Sequence, residues 1–412
     1  MTASRPGRRK ILFLTFTYPS AAGTGTQMRS AALVRMLAEE AEVHLLVASY
    51  AEAPGGPYDP ELEALCRQIV HLRAPPHPGC GWPRLKIGAD AVDLPTVDCP
   101  AEQMPDWIVE FFRSHALDCI FVFRFDSLHF IHQRIDSFPS RELDLDELPT
   151  RREAQINGLD SGARHTGTIR ERASMAAMRM MEKLLIPKFD RVFVSSEFEA
   201  EEVRRLAGYA HAEVLPNIYS RTLAPLGSQP ASRQEIFFVG HLAYLANSDA
   251  VVYFCREILP LIRAAKGDGV TFRVVGMGTT PALESVRNLP GVAMMGFQES
   301  LEPFYTQATL VAVPLRAGTG TRLKILEAFT HGRPVVSTSI GAQGLEVTDR
   351  ENILLADEPE AFARACIELM EKPELAARLC EGGADLIRTH YTQEALRARY
   401  SKAEAYPAPL TT

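Results

Sequence analysis

Cysteine is scarce and scattered in this chain of 412 residues: Cys66, Cys80, Cys99, Cys119, Cys255, Cys366 and Cys380, with no Cys-x-x-Cys pair. An odd count without metal-ligand spacing argues against a disulfide framework and against a zinc site, and scattered thiols suit a reducing cytoplasm. Positive charge is not in surplus either. Lys and Arg total 44 against 51 Asp and Glu, a formal net charge of -7, whereas a general nucleic-acid binder shows a strongly basic balance. Long apolar runs are missing too. Arg5, Arg8, Arg9 and Lys10 precede an apolar run from Ile11, but it stops at Phe16 before Thr17-Tyr18-Pro19. That is too short for a signal-peptide core and reads as a first β-strand. No uncharged stretch approaches the ~20 residues of a membrane helix. These absences lead us to expect a cytoplasmic protein, at most peripheral at the inner membrane face.

What is present is ordinary globular composition, 46% hydrophobic and 23% charged, in a chain too long for one compact core. Two domains are expected. The first opens with a strand over Ile11–Phe16, a small-residue loop Ser20-Ala21-Ala22-Gly23-Thr24-Gly25-Thr26, and a helix carrying Met28, Ala32 and Met36. Further strands are expected at Val43–Ala48, Ile120–Phe123 and Val192–Ser195. Residues 51–105 read as loops with one helix near Glu61–Val70, and residues 136–165 are ambiguous. Apolar periodicity then lapses around SRTLAPLGSQPASR, Ser220–Arg233, as in a linker. A second strand–helix series follows, with strands at Ile236–Val239, Thr271–Val275, Val292–Met295, Leu310–Val313 and Val335–Ser337, and a helical stretch after Ile353–Leu355. Strands alternating with helices predict α/β domains with parallel sheets. The expected boundaries are 1–222 for the first domain, 223–234 for the linker, 235–390 for the second domain, and 391–412 for a helix and tail returning to the first domain.

The stretch richest in chemistry is PLRAGTGTRLKILEAFTHGRPVV, Pro314–Val336. Gly318 and Gly320 allow a tight turn and close approach of a ligand. A helix is expected to start near Thr321, and its free N–H groups suit an anion such as a diphosphate. Arg322 and Lys324 add full charges there. Lys324, Glu327 and His331 share one helical face, and Glu327 can accept two ribose hydroxyls. A solvated Lys–Glu pair with glycines serving only as turn formers is the bland alternative.

This stretch resembles the donor-binding signature of the retaining glycosyltransferase family 4. The resemblance implies a GT-B fold, two Rossmann-like domains facing each other, and a nucleotide-diphosphate sugar as donor. It implies no metal and no other cofactor. Glu327 matches the family's second signature Glu, which binds the ribose. Thr319 stands where the first Glu contacts the donor hexose, so backbone N–H groups from Gly318 to Thr321 are expected to serve instead. Phe238-Val239-Gly240-His241 resembles the family's first strand and glycine turn of the second domain. The Arg and Lys that often follow it are missing between His241 and Asp249, and Arg322 and Lys324 are assigned their role. Val274-Val275-Gly276-Met277-Gly278 resembles the next strand-turn, and Met295-Gly296-Phe297 the loop facing the base. The expected donor side is therefore Gly240, His241, Gly276, Phe297, Gly318, Thr319, Gly320, Thr321 and Glu327.

On the acceptor side, Gly23 and Gly25 lie in a loop resembling the family's opening glycine loop. Arg124, Asp126, His129 and His132 follow the strand Ile120–Phe123. Arg124 and Asp126 are expected to hold the acceptor, and His129 to relay its proton beside Arg322 and Lys324 as catalytic groups. Asp144 and Asp146 alternate as on a strand; a metal-binding pair is weighed against a structural or acceptor role. Residues 151–191 hold nine Arg or Lys and five Asp or Glu, with Met175, Met178, Met181, Leu184 and Leu185 at helical spacing. They form either a core-packing helix or a surface for an anionic membrane. An acceptor of unknown identity completes the expected partners. An epimerase or hydrolase of nucleotide sugars, and a non-catalytic nucleotide-sugar-binding protein, are the rival readings.

Overall fold

The computed structural model describes residues 8–49, 59–74, 95–160, 169–209, 211–219, 223, 234–318 and 322–404. The expected linker, apart from its two end residues, lies outside them. Two compact units emerge: residues 1–149, 173–220 and 396–412, and residues 150–172 and 221–395.

The first unit is built on eight strands: β1 (Arg9–Thr15), β2 (Ala41–Ser49), β3 (Cys66–Arg73), β4 (Thr96–Asp98), β5 (Cys119–Phe123), β6 (Arg141–Asp146), β7 (Arg191–Val194) and β8 (Ala212–Val214). Their order is β4-β3-β2-β1-β5-β6-β7-β8, and every pairing is parallel. Helices cover both faces, so successive residues go to opposite cores. Ile11 and Phe13 join one cluster with Phe121 and Phe193, while Leu12 and Leu14 join the other with Ile120 and Val122.

The expected helix at 61–70 is corrected. A short helix, Pro60–Leu65, capped by the Asp59 side chain, gives way at Cys66 to β3. Ile69, Val70 and Leu72 are buried against β2, so sheet pairing overrides an ambiguous apolar pattern. β6 resolves the ambiguous segment 136–165 in part.

The second unit has six strands: β9 (Glu235–Val239), β10 (Thr271–Val275), β11 (Val292–Gly296), β12 (Leu310–Val313), β13 (Val335–Ser337) and β14 (Leu354–Leu355). Their order is β11-β10-β9-β12-β13-β14, again all parallel. Each sheet therefore reverses its direction of growth once, between β1 and β5 and between β9 and β12. Ligands of open parallel sheets bind outside the carboxyl ends of strands at such reversals.

The last described helix, Gln393–Glu404, packs on the first unit. Tyr400 is buried there; its hydroxyl donates to the Glu142 carboxylate at 2.8 Å, and its ring lies 5.7 Å from that of Phe193. The Arg191 guanidinium sits 4.5 Å over the same ring.

Candidate functional site

In the second unit, the reversal between β9 and β12 gathers most of the expected donor-side residues. β9 ends at Val239 and delivers Gly240 and the exposed His241. The chain then turns into the helix Leu245–Tyr253. Asn247, in its first turn, donates through Nδ2 to the His241 carbonyl at 3.0 Å and accepts at Oδ1 from Lys324 Nζ at 2.7 Å. The Lys324 ammonium also sits 4.2 Å over the Phe238 ring. Among the described residues no carboxylate reaches ion-pair distance of this amine. Burial, and next the nearby Arg322 charge, push it down to about 7, with Glu327 acting weakly the other way.

Glycine makes room for both cations. A Cβ on Gly240 would lie 3.1 Å from Lys324 Nζ and 2.9 Å from Asn247 Nδ2. One on Gly318, whose φ is +120°, would lie 3.1 Å from the buried Arg322 guanidinium. The helix carrying Lys324 and Glu327 runs Leu323–Thr330, two residues later than expected, with Arg322 at its N-cap and no side chain capping it. Glu327 is half-buried one turn after Lys324, and the His331 ring stacks on Tyr305 at 4.4 Å. Thr319, Gly320 and Thr321 lie outside the described residues.

The neighbouring turn after β10 is equally tight. Gly276 has φ +155°, donates its N–H to the Gly296 carbonyl at 2.9 Å, and leaves no space for a Cβ beside the Gly240 carbonyl oxygen. Phe297 follows Gly296 and is 66% exposed, with Met277 and Met295 also exposed, an apolar rim at the ends of β10 and β11. Arg316, not singled out in the sequence, binds Asp249 with two guanidinium nitrogens at 2.5 and 3.0 Å and covers the Tyr253 ring at 4.5 Å. That clamp ties the loop after β12 to the helix after β9. Asn247 and Arg316 are the residues that sequence reasoning missed. Their partners lie 77 and 67 positions away, so only the fold pairs them.

In the first unit, the reversal between β1 and β5 holds a buried charge network. Thr24 caps the helix Gly25–Glu40 and pairs with Gln27 in a reciprocal box, against which Gly23 lies. One turn into the helix, Arg29 binds Asp144 through Nε at 2.8 Å and Nη2 at 2.5 Å, and Nη1 donates to Leu215 O and Asn217 Oδ1. Arg29 Nε also stands 3.6 Å from Asp146 Oδ1, so the two aspartates weighed as a metal pair share an arginine. Burial raises the Asp144 carboxyl despite that arginine. Arg124 reaches Thr26 Oγ1 at 3.2 Å, Glu147 at 2.9 Å and Asp146 at 3.4 Å, with Asp126 at 3.6 Å from Nε. Arg124 and Asp146 end adjacent strands with φ of +63° and +59°. Non-glycine residues adopt such a backbone at a cost, and it concentrates at functional sites. The structure thus brings Gly23, Gly25, Arg124 and Asp126 to one sheet edge. His129 lies beyond, half-buried in the 3-10 turn Phe125–Phe130, its pKa lowered by burial and by His132. No group of three or more metal-ligating side chains occurs among the described residues.

With this geometry established, similarity to known proteins is informative. Residues 233–372, spanning β9 to β14 and the helix Pro359–Glu371, match the family described as Glycosyl transferases group 1. The "uncharacterized 44.6 kDa protein in cps region" of Klebsiella pneumoniae is 24% identical over 140 residues, 32% of this chain. That alignment spans 36% of the relative's length. Sucrose-phosphate synthase of Thermosynechococcus elongatus superposes with a TM-score of 0.62 at 18% identity, covering 96% of this chain and 98% of that one. HepE of Anabaena, solved in complex with UDP, gives 0.64 at 12% identity, covering 96% and 99%. Identities this low speak to fold. The matched segment contains the lysine, the glutamate and the glycine turns described above, and the two parallel α/β sheets share the GT-B-like fold of these solved structures.

Proposed function

We propose that this protein transfers a sugar from a nucleoside-diphosphate sugar to an acceptor hydroxyl with retention at the anomeric carbon. The observation that carries the proposal is the Lys324 ammonium, held by an amide oxygen and an aromatic face at the carboxyl end of β9, with the Arg322 charge acting on it. A desolvated cation without a carboxylate partner among the described residues is a site prepared for an anion. In the transfer, the bond from the anomeric carbon to the diphosphate oxygen breaks. Negative charge gathers on the departing diphosphate, and Arg322, Lys324 and the uncapped helix start at Leu323 stabilise it. Glu327 binds the ribose hydroxyls. Gly240, Gly276 and Gly318 let the backbone approach the donor, and Phe297 faces the base. The acceptor oxygen forms the new bond to the anomeric carbon, and its proton passes to His129, whose lowered pKa keeps the ring neutral near pH 7. Arg124 and Asp126 orient the acceptor. Solved complexes of HepE with UDP and with UDP-glucose support a nucleotide-sugar donor.

The direct test replaces Glu327 by Ala and follows both donor binding by calorimetry and product formation by NMR. We expect at least tenfold weaker donor affinity and a product that retains the anomeric configuration. Unchanged affinity and rate would remove Glu327 from the ribose site, and donor consumption without any glycosylated acceptor would favour hydrolysis or epimerisation.

A further inference from the structure

The helix Ile169–Leu185 turns an unusual face outward. Glu182 and Leu185 are buried and Met175 and Met178 half-buried, which fixes its inner side. On the other side Met180 is 63% exposed, Leu184 53% and Met181 37%. Exposed Ala173, Ala176 and Ala177 extend this stripe toward the helix start. Met180 and Leu184 are one turn apart, so the stripe runs along the axis. Arg172, Arg179 and Lys183, all exposed, recur at intervals of seven and four residues and line one flank of it. None of the three pairs with a carboxylate among the described residues, and the helix's one described acid, Glu182, points inward.

We infer that this face docks on an anionic lipid surface, with Met180, Met181 and Leu184 entering the headgroup region and Arg172, Arg179 and Lys183 meeting lipid phosphates. An amphipathic helix with an apolar stripe beside unpaired cations is the form that lies in a membrane interface. A second copy of the chain suits the face less well, because a symmetric dimer would set the same cationic row against itself. The whole chain carries a net charge of -7, so attraction to an anionic surface has to come from a local patch such as this one.

Co-sedimentation of the full chain with phosphatidylglycerol vesicles and with phosphatidylcholine vesicles, at low and high salt, tests the inference without reference to activity. Binding is expected to the anionic vesicles alone and to fall steeply with salt. Reversing the three cations (Arg172→Glu, Arg179→Glu, Lys183→Glu) should weaken it about a hundredfold. Met180→Asp with Leu184→Asp should abolish it, with unchanged circular dichroism reporting an intact fold. Failure of the wild-type chain to bind anionic vesicles, or equal binding by the charge-reversed variant, overturns the inference. So does a dimer in light scattering that the Met180→Asp, Leu184→Asp variant dissolves while vesicles bind neither protein.

Discussion

At the scale of one side chain, a Lys324 that holds the donor diphosphate, as proposed, couples its protonation to donor binding. Its amine is pushed from 10.5 down to about 7 by burial and by Arg322, and a bound diphosphate would draw it back up. The complex therefore takes up a proton when it forms above about pH 7. The sign follows: donor affinity is highest below that pH and falls roughly tenfold per unit above it, until the complex itself titrates. Calorimetry at pH 8 in two buffers of different ionisation enthalpy should register this uptake, and Lys324→Ala should erase it. Lys324, Arg322 and Glu327 were legible in the sequence because they lie within six positions of one another beside a glycine turn. Asn247 was not, because nothing local marks an asparagine in a helix's first turn as the partner of a distant amine. The backbone strain at Arg124 and Asp146 was equally invisible, since a positive φ outside glycine is imposed by tertiary context.

At the scale of elements, the strand ends are held by backbone contacts that tolerate no extra atom. Gly276→Ala would place a methyl group on the Gly240 carbonyl oxygen in a backbone region L residues avoid. We expect a loss of about 2–3 kcal/mol in urea denaturation, together with weakened nucleotide binding because Gly240 must move. In the first unit, Arg29 joins the helix Gly25–Glu40 to β6. Arg29→Ala leaves the buried Asp144 uncompensated and should cost about 3–5 kcal/mol. Adding Asp144→Asn should recover part of that loss, and denaturation midpoints of the two variants check it. Most strands were readable from continuous apolar runs, as buried parallel strands should be. β3 was not, because CRQIVHLR carries polar residues at one end and an apolar run that suits either period. β6 was half-read. Its alternating acids suggested a strand, but the register shift between Asp144 and Asp146 depends on neighbours the sequence does not name.

At the scale of the whole molecule, the first unit is assembled from three segments, and the two pieces of the second unit lie between them in sequence. Phe13, Phe121 and Phe193 stack in a row across the sheet, with centroid separations of 5.3 and 5.9 Å, and Tyr400 closes the row. Tyr400→Phe keeps the ring and removes the hydrogen bond to the buried Glu142. The change should lower stability by about 1–3 kcal/mol, seen as an earlier transition in thermal unfolding. Two domains and their sheet class could be read from the alternation of strands and helices. Which remote segment completes which unit could not, because that depends on surface matching between the Tyr400 face and β5–β7.

That return of the chain also orders events in time. A ribosome emits the strands β1 to β8 long before it emits Tyr400, so the nascent first unit waits with Glu142 and the Phe193 ring uncovered while the second unit is being made and folds. A unit begun at β1 is thus finished only at Tyr400, and stalling translation before residue 393 would leave an unsealed hydrophobic face for chaperones to guard.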